Sequence, residues 1–244
     1  TAGEEIGCEG AFQLAGSDML GRAGAIVVAE PTSNAPLVGH KGALWLRLTL
    51  KGVTAHGSMP HLGVNAAFKA ARVLTALQDF QFNAAAHPYL GSPTLNVGTV
   101  HAGLNVNSVP DLAEIGIDIR SIPGLDHARI QEHLQAELGE EVSFETIVDV
   151  GAVWTDPSSP WIRDVYRIVR DVTGEEAGAE PRTAPYFTDA SALTPAFGNP
   201  PTIILGPGEA AKAHQTDEYC SVQRIREAAD IYARLAAKWS DGAG

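Results

Sequence analysis

Two adjacent carboxylates, Glu4 and Glu5, stand in the run Thr1-Ala2-Gly3-Glu4-Glu5-Ile6-Gly7. After a short turn, such a pair can supply a general base beside a metal ligand. Glu30 sits where the apolar run 25–29 meets Pro31. That places it at a strand tip, where open α/β sheets bind ligands. His56 lies in Gly52-Val53-Thr54-Ala55-His56-Gly57, and His214 in a loop that opens with Gly206-Pro207-Gly208. Carboxylates and imidazoles at strand ends are the donors a zinc site uses. Each residue alone also has a plainer reading. A Glu pair is commonly solvated surface, a loop His a satisfied polar group, and Glu30 a strand terminator.

Elements must position these groups. Residues 9–20 read as a short helix after the Glu pair, and 25–29 as a strand buried on both faces. The pattern then changes. Residues 43–51, 94–101, 112–120 and 141–149 read as strands, the first three by alternation. Residues 64–79 and 126–138 carry helical spacing, the second after an Asp126 N-cap. The order β-α-β-β-α-β predicts a split βαβ, ferredoxin-like sandwich. Buried α/β character returns after Pro157, with a helix over 160–173, a strand at 201–205 and a closing helix over 222–239. The expected organisation is a discontinuous α/β domain, 1–38 and 152–244, interrupted by a domain at 39–151.

Bulk composition narrows the function classes. The 244 residues are 45% apolar, with 17 Lys and Arg against 29 Asp and Glu, a net charge of -12. Nucleic acids and anionic membranes call for basic patches, so neither is an expected partner. No run is long enough for a transmembrane helix. Two cysteines, Cys8 and Cys220, are too few for a disulfide framework, and a reducing, cytoplasmic setting is the simplest expectation. Both read as small buried residues.

Taken in order, Thr1–Ala11, Ala29-Glu30-Pro31-Thr32-Ser33 with His40-Lys41-Gly42, Ser92–Gly98, Asn107–Pro110, Ile117–Arg120 and Gly206–Tyr219 resemble a known family. It is the dinuclear zinc amidohydrolase and metallopeptidase family of acetylornithine deacetylase, succinyl-diaminopimelate desuccinylase, glutamate carboxypeptidase and aminoacylase. The resemblance implies a zinc-exopeptidase-like α/β domain carrying an inserted lid and dimerisation domain. It implies two Zn²⁺ per complete site, with Co²⁺ a possible substitute, and a homodimer formed through the lid. It also implies hydrolysis of an amide bond in an N-acyl amino acid, or in a peptide if the enzyme is an exopeptidase. By resemblance Glu4 is the general base and acid, and Glu5 and His214 ligate one metal. Glu30 ligates the other, His56 steadies the developing oxyanion in the partner's site, and Asn107 and Arg120 hold the substrate carboxylate. On their own residues, Asn107 can equally be a loop residue and Arg120 an ion-pair partner. Asp189, in Phe187-Thr188-Asp189-Ala190, reads as a helix cap rather than a chemical group.

The resemblance also brings a His-x-Asp motif and a bridging Asp upstream of the Glu pair, for which this sequence has no counterpart. The expectation is therefore a catalytic domain truncated at its N-terminus. Alone it would bind metal weakly and turn over little or nothing, which leaves open a role as only a dimerising or ligand-binding module.

Overall fold

A computed structural model describes residues 2–17, 19–175 and 180–242, apart from the side chains of Glu5 and Asp241. In chain order the helices are α1 (Glu9–Ala15), α2 (Ala66–Asp79), α3 (His127–Leu138), α4 (Pro160–Thr173), α5 (Ala190–Ala196) and α6 (Val222–Gly242). The strands are β1 (Ile26–Val28), β2 (Leu37–His40), β3 (Gly42–Lys51), β4 (Thr94–Ala102), β5 (Leu112–Ser121), β6 (Val142–Val150), β7 (Val153–Trp154), β8 (Arg182–Ala184) and β9 (Thr202–Ile204). The chain divides into two compact units. One comprises 1–41, 88–90 and 151–244; the other comprises 42–87 and 91–150.

The first unit is built on a mixed sheet in the order β1-β9-β2-β7, with β8 paired to β2. Strands β1 and β9 run parallel, Ile26 opposite Thr202 and Val28 opposite Ile204. Both then end on the same side, and ligands of α/β sheets bind at such carboxyl ends. Val38, Ile203 and Leu205 pack with Ile162, Val165 and Val169 of α4 and Ile231 and Leu235 of α6. Helix α4 forms where its signals put it. The Ser159 hydroxyl accepts from the Ile162 N–H, Pro160 opens the first turn, and Gly174 closes the helix in a left-handed conformation.

The second unit is the expected sandwich, βαββαβ from β3 to β6, with sheet order β4-β5-β3-β6. All three pairings are antiparallel. Alternation explains the core. Leu44, Leu46, Leu48 and Leu50 of β3 and Ala113, Ile115, Ile117 and Ile119 of β5 point one way and are buried. Trp45, Arg47 and Thr49 point the other way and stay partly exposed. Helix α2 covers the core with Ala66, Ala70, Val73 and Leu77, and α3 with Ile130 and Leu134. Asp126 caps α3, accepting from the N–H groups of Ala128 and Arg129.

Candidate active site

Four chain segments meet around the carboxyl end of the parallel pair in the first unit. Glu4 lies in a single 3₁₀ turn, Glu4–Ile6, between Gly3 and Gly7. Cys8 follows, fully buried, and its thiol donates to the Thr188 carbonyl at 3.4 Å. That contact joins the Glu4 turn to the start of α5, 180 residues away. Glu30 extends two residues beyond β1. The loop after β9 lies against it so closely that a Cβ on Gly206 would come within 2.4 Å of the Glu30 carbonyl oxygen. Only glycine fits there. Thr32 completes the join, its hydroxyl accepting from the Gly206 N–H at 3.1 Å.

The charges at this edge act on one another. Glu30 is pushed up to about 7, first by burial and then by the negative charges of Glu4 and Asp189. Cys8 is pushed up to about 12 by burial, by Asp189 and by Glu4, so it stays a thiol. Cys220 is only half covered, which corrects its reading as a buried residue.

Asp189 also departs from expectation. It stands at the N-cap position of α5, yet its side chain makes no capping hydrogen bond. Thr188 does that work, its Oγ1 accepting from the Ala190 N–H at 3.1 Å. The Asp189 carboxylate instead faces Cys8 and Glu30. The reason is position: Asp189 is already helical, at φ -54 and ψ -15, and an N-cap side chain needs an extended backbone to reach back. A Thr-Asp pair before a short, Pro-containing helix carries no sequence signal that separates the two roles.

His214 occupies an exposed, left-handed position in the loop after β9, where its backbone N–H donates to Glu218 Oε2 at 3.1 Å. The side chain of Glu5 lies outside the described residues. A divalent cation suits the carboxylate donors in kind, because a cation would relieve the repulsion that lifts Glu30. In number they fall short: among the described residues no three His, Cys, Asp or Glu side chains gather into a cage.

The second unit divides its three candidates between opposite ends. His56 and Asn107 come together. Gly57 N–H donates to the Asn107 carbonyl at 2.7 Å, Val109 N–H donates to the Ala55 carbonyl at 2.8 Å, and His56 bridges to Ser108. A Cβ on Gly57 would lie 2.9 Å from the Asn107 backbone, so glycine is needed for this approach. The Ser58 N–H donates to His56 Nδ1 at 3.2 Å. With Nδ1 accepting there, a neutral ring carries its hydrogen on Nε2, which is free to donate.

Arg120 sits near the far end of β5. At about 3.3 Å per residue it lies roughly 26 Å along the strand from Leu112, the end next to Asn107. Its guanidinium donates twice to Asp118 Oδ2, at 3.1 and 2.9 Å, and lies 5.9 Å from the Trp45 ring centre. This is the end at which the chain enters and leaves the unit, since Ala43 pairs with both Arg120 and Val150. A Ser–His–Asp trio braces it. His127 joins Asp149 Oδ1 at 2.6 Å and Ser121 Oγ at 2.7 Å. Ser121 is 1% exposed, so its hydroxyl cannot meet a substrate and the trio ties β5 to β6.

A sequence profile of a peptidase dimerisation domain matches residues 38–144. An acetylornithine deacetylase from Myxococcus xanthus is 30% identical over 254 residues, covering 99% of this chain and 64% of its own length. The chain thus spans about three fifths of the curated relatives it matches. Among solved structures, an M20 family metallo-carboxypeptidase from Sulfolobus solfataricus superposes with a TM-score of 0.72 at 16% identity, covering 96% of this chain and 68% of that one. A dipeptidase from Saccharomyces cerevisiae gives a TM-score of 0.73 at 13% identity, covering 98% and 64%. Among the described residues no helix is long and apolar enough to cross a membrane.

Proposed function

The chain belongs to the M20 peptidase family, and from that premise we propose that it serves a metal-dependent hydrolase cleaving the amide bond of an N-acyl amino acid. One observation carries the reading. At the carboxyl edge of the β1–β9 pair Glu30 is lifted to about 7, first by its burial and then by the negative charges of Glu4 and Asp189. Folding tolerates such crowding where a function needs it.

In this reading Glu30, together with Glu5 and His214, holds divalent metal, zinc by the chemistry of the donors, with two ions in a complete site. Bound metal polarises the scissile carbonyl and acidifies water. The Glu4 carboxylate takes a proton from the attacking water and returns it to the leaving nitrogen. The Nε2–H of His56 donates to the oxygen on which charge builds. Asn107 and Arg120 hold the substrate carboxylate from two directions. Because they lie at opposite ends of one sandwich, a single site using both would draw His56 and Asn107 from one chain and Arg120 from another. That arrangement requires a homodimer through the second unit, which the match to a dimerisation domain supports.

The test is turnover of a panel of N-acyl amino acids with added Zn²⁺ or Co²⁺. Glu4→Gln should lower kcat by about 10²- to 10⁴-fold, the usual worth of a positioned general base. Unchanged turnover in Glu4→Gln sinks the proposal. The likeness to a dipeptidase favours a second reading, a zinc exopeptidase. Dipeptide turnover exceeding that of N-acyl amino acids selects it.

A further inference from the structure

His56 stands on a loop of the second unit that is tied at three points. Val53 and Val64 exchange both backbone hydrogen bonds at 2.8 Å and close the loop at its neck. Gly57 N–H reaches the Asn107 carbonyl and anchors the loop further on. The Met59 N–H donates to the His56 carbonyl at 2.8 Å, which makes residues 56–59 a tight turn. That turn brings Ser58 back to the imidazole. Its hydroxyl oxygen lies 2.7 Å and its backbone nitrogen 3.2 Å from His56 Nδ1.

The two contacts fix each other's direction. A neutral imidazole nitrogen carries either a hydrogen or a lone pair. The Ser58 backbone N–H can only donate, so Nδ1 accepts, and the Ser58 hydroxyl beside it donates as well. Ser108, opposite His56 in the bridge, does not compete for the ring, because its own hydroxyl donates to Asn105 Oδ1 at 2.6 Å. The ring hydrogen is left on Nε2, which has no hydrogen-bond partner among the described residues. Which nitrogen carries the proton is set by the bond the other one makes. Held this way, neither nitrogen offers a lone pair to a metal ion or to a proton, and the neutral ring acts as a donor alone.

We propose that Ser58 is the positioning residue of His56: its hydroxyl and its N–H together hold the imidazole in one tautomer and one orientation, with Nε2–H kept for the oxygen on which charge builds. A donor aimed beforehand costs no reorganisation when that charge appears. The assignment deepens the hydrolase reading and rests on it, because it gives Ser58 a task in a reaction that develops an oxyanion. The effect of Ser58 passes through His56.

Ser58→Ala removes the hydroxyl and leaves the N–H. It should lower kcat about 2- to 10-fold and leave KM unchanged, the scale of one neutral hydrogen bond felt only as charge builds. Both residues are exposed, so water can replace the hydroxyl. The effect therefore stays below the loss of about 10²- to 10³-fold expected of His56→Ala, the worth of one oxyanion donor. In the His56→Ala background, Ser58→Ala should change nothing further. Equal losses in the two backgrounds, or a change in KM alone, overturn the proposal. Nitrogen-15 NMR of protein labelled at histidine, at alkaline pH, reads the tautomer without turnover, and the signals missing from His56→Ala identify the ring. Wild type should show hydrogen on Nε2 and none on Nδ1. In Ser58→Ala the Nδ1 resonance should move and the Nδ1–H form should appear. Hydrogen on Nδ1 in wild type, or a ring spectrum unchanged in Ser58→Ala, overturns the proposal as well. Failure of the hydrolase reading looks different: turnover of N-acyl amino acids would be absent or indifferent to Glu4→Gln, while the ring spectrum still changed in Ser58→Ala.

Discussion

Acid should weaken the first unit through one residue, His40. Its ring is fully buried at the end of β2, between Val153 of β7 and Ala184 of β8. Nδ1 donates to the Lys41 carbonyl at 2.8 Å, and Nε2 is enclosed with no hydrogen-bond partner among the described residues. A proton on Nε2 would have no acceptor, and burial pushes the imidazole down to about 4 from 6.5. The unfolded chain takes up that proton near 6.5 and the folded chain resists it. The contribution of His40 is therefore complete above pH 6.5, is lost as pH falls toward 4, and changes no further below that. The loss amounts to about 3 kcal/mol in all and about 2 kcal/mol by pH 5, at 1.36 kcal/mol per pKa unit. Glu30 works the other way. Raised to about 7, it contributes stability that is present below its ordinary 4.5 and lost as pH rises through 7. The comparison must therefore be with His40→Leu, which keeps Glu30 and removes the imidazole. Urea unfolding at pH 7.5 and pH 5, followed by tryptophan fluorescence, suits the purpose, because Trp154, Trp161 and Trp239 all lie in the first unit. Wild type should lose about 2 kcal/mol more than His40→Leu between the two conditions. Equal losses in both proteins would refute the argument, whatever the variant costs at neutral pH.

Other consequences of the structure can be checked singly. Native protein should react with Ellman's reagent at Cys220 and spare Cys8, whose thiol is buried and held up at about 12; denaturation should release the second thiol. Rapid loss of two thiols from folded protein contradicts this. Gly57→Ala drives a methyl group into the Asn107 backbone and should destabilise the second unit by about 1–3 kcal/mol, read as a lower urea midpoint. His127→Ala removes the brace between Ser121 and Asp149 and leaves the buried Ser121 hydroxyl unpaired, at a cost of about 1–3 kcal/mol. If a serine-directed acylating reagent labels Ser121 in the folded protein instead, the bracing role is wrong. Leu46→Ala opens the centre of the same core and should cost about 2–5 kcal/mol.

What was legible in the sequence follows from how each element is held. Strands β3 and β5 alternate over ten residues each, and α2, α3 and α4 carry apolar stripes with capping residues, so local pattern and tertiary packing agree. Strands β2, β7 and β8 escaped notice because they are two to four residues long and owe their form to neighbours. Leu37–His40 contains a glycine and a histidine, and Arg182–Ala184 has a charged start; neither shows a period. Helix α5 has Pro195 in its interior and only seven residues. The candidate site divides in the same way. Glu4 and Glu30 could be picked out because turns and strand ends are written locally, in glycines and in an apolar run closed by proline. Asp189 could not, since its significance is long-range. It matters because a thiol at position 8 hydrogen-bonds the carbonyl of position 188. The split of His56 and Asn107 from Arg120 was equally hidden, because sequence order says nothing of the length of β5 that separates them. Residues that chemistry marks by type were readable, and those that act through a neighbour across the fold needed the fold itself.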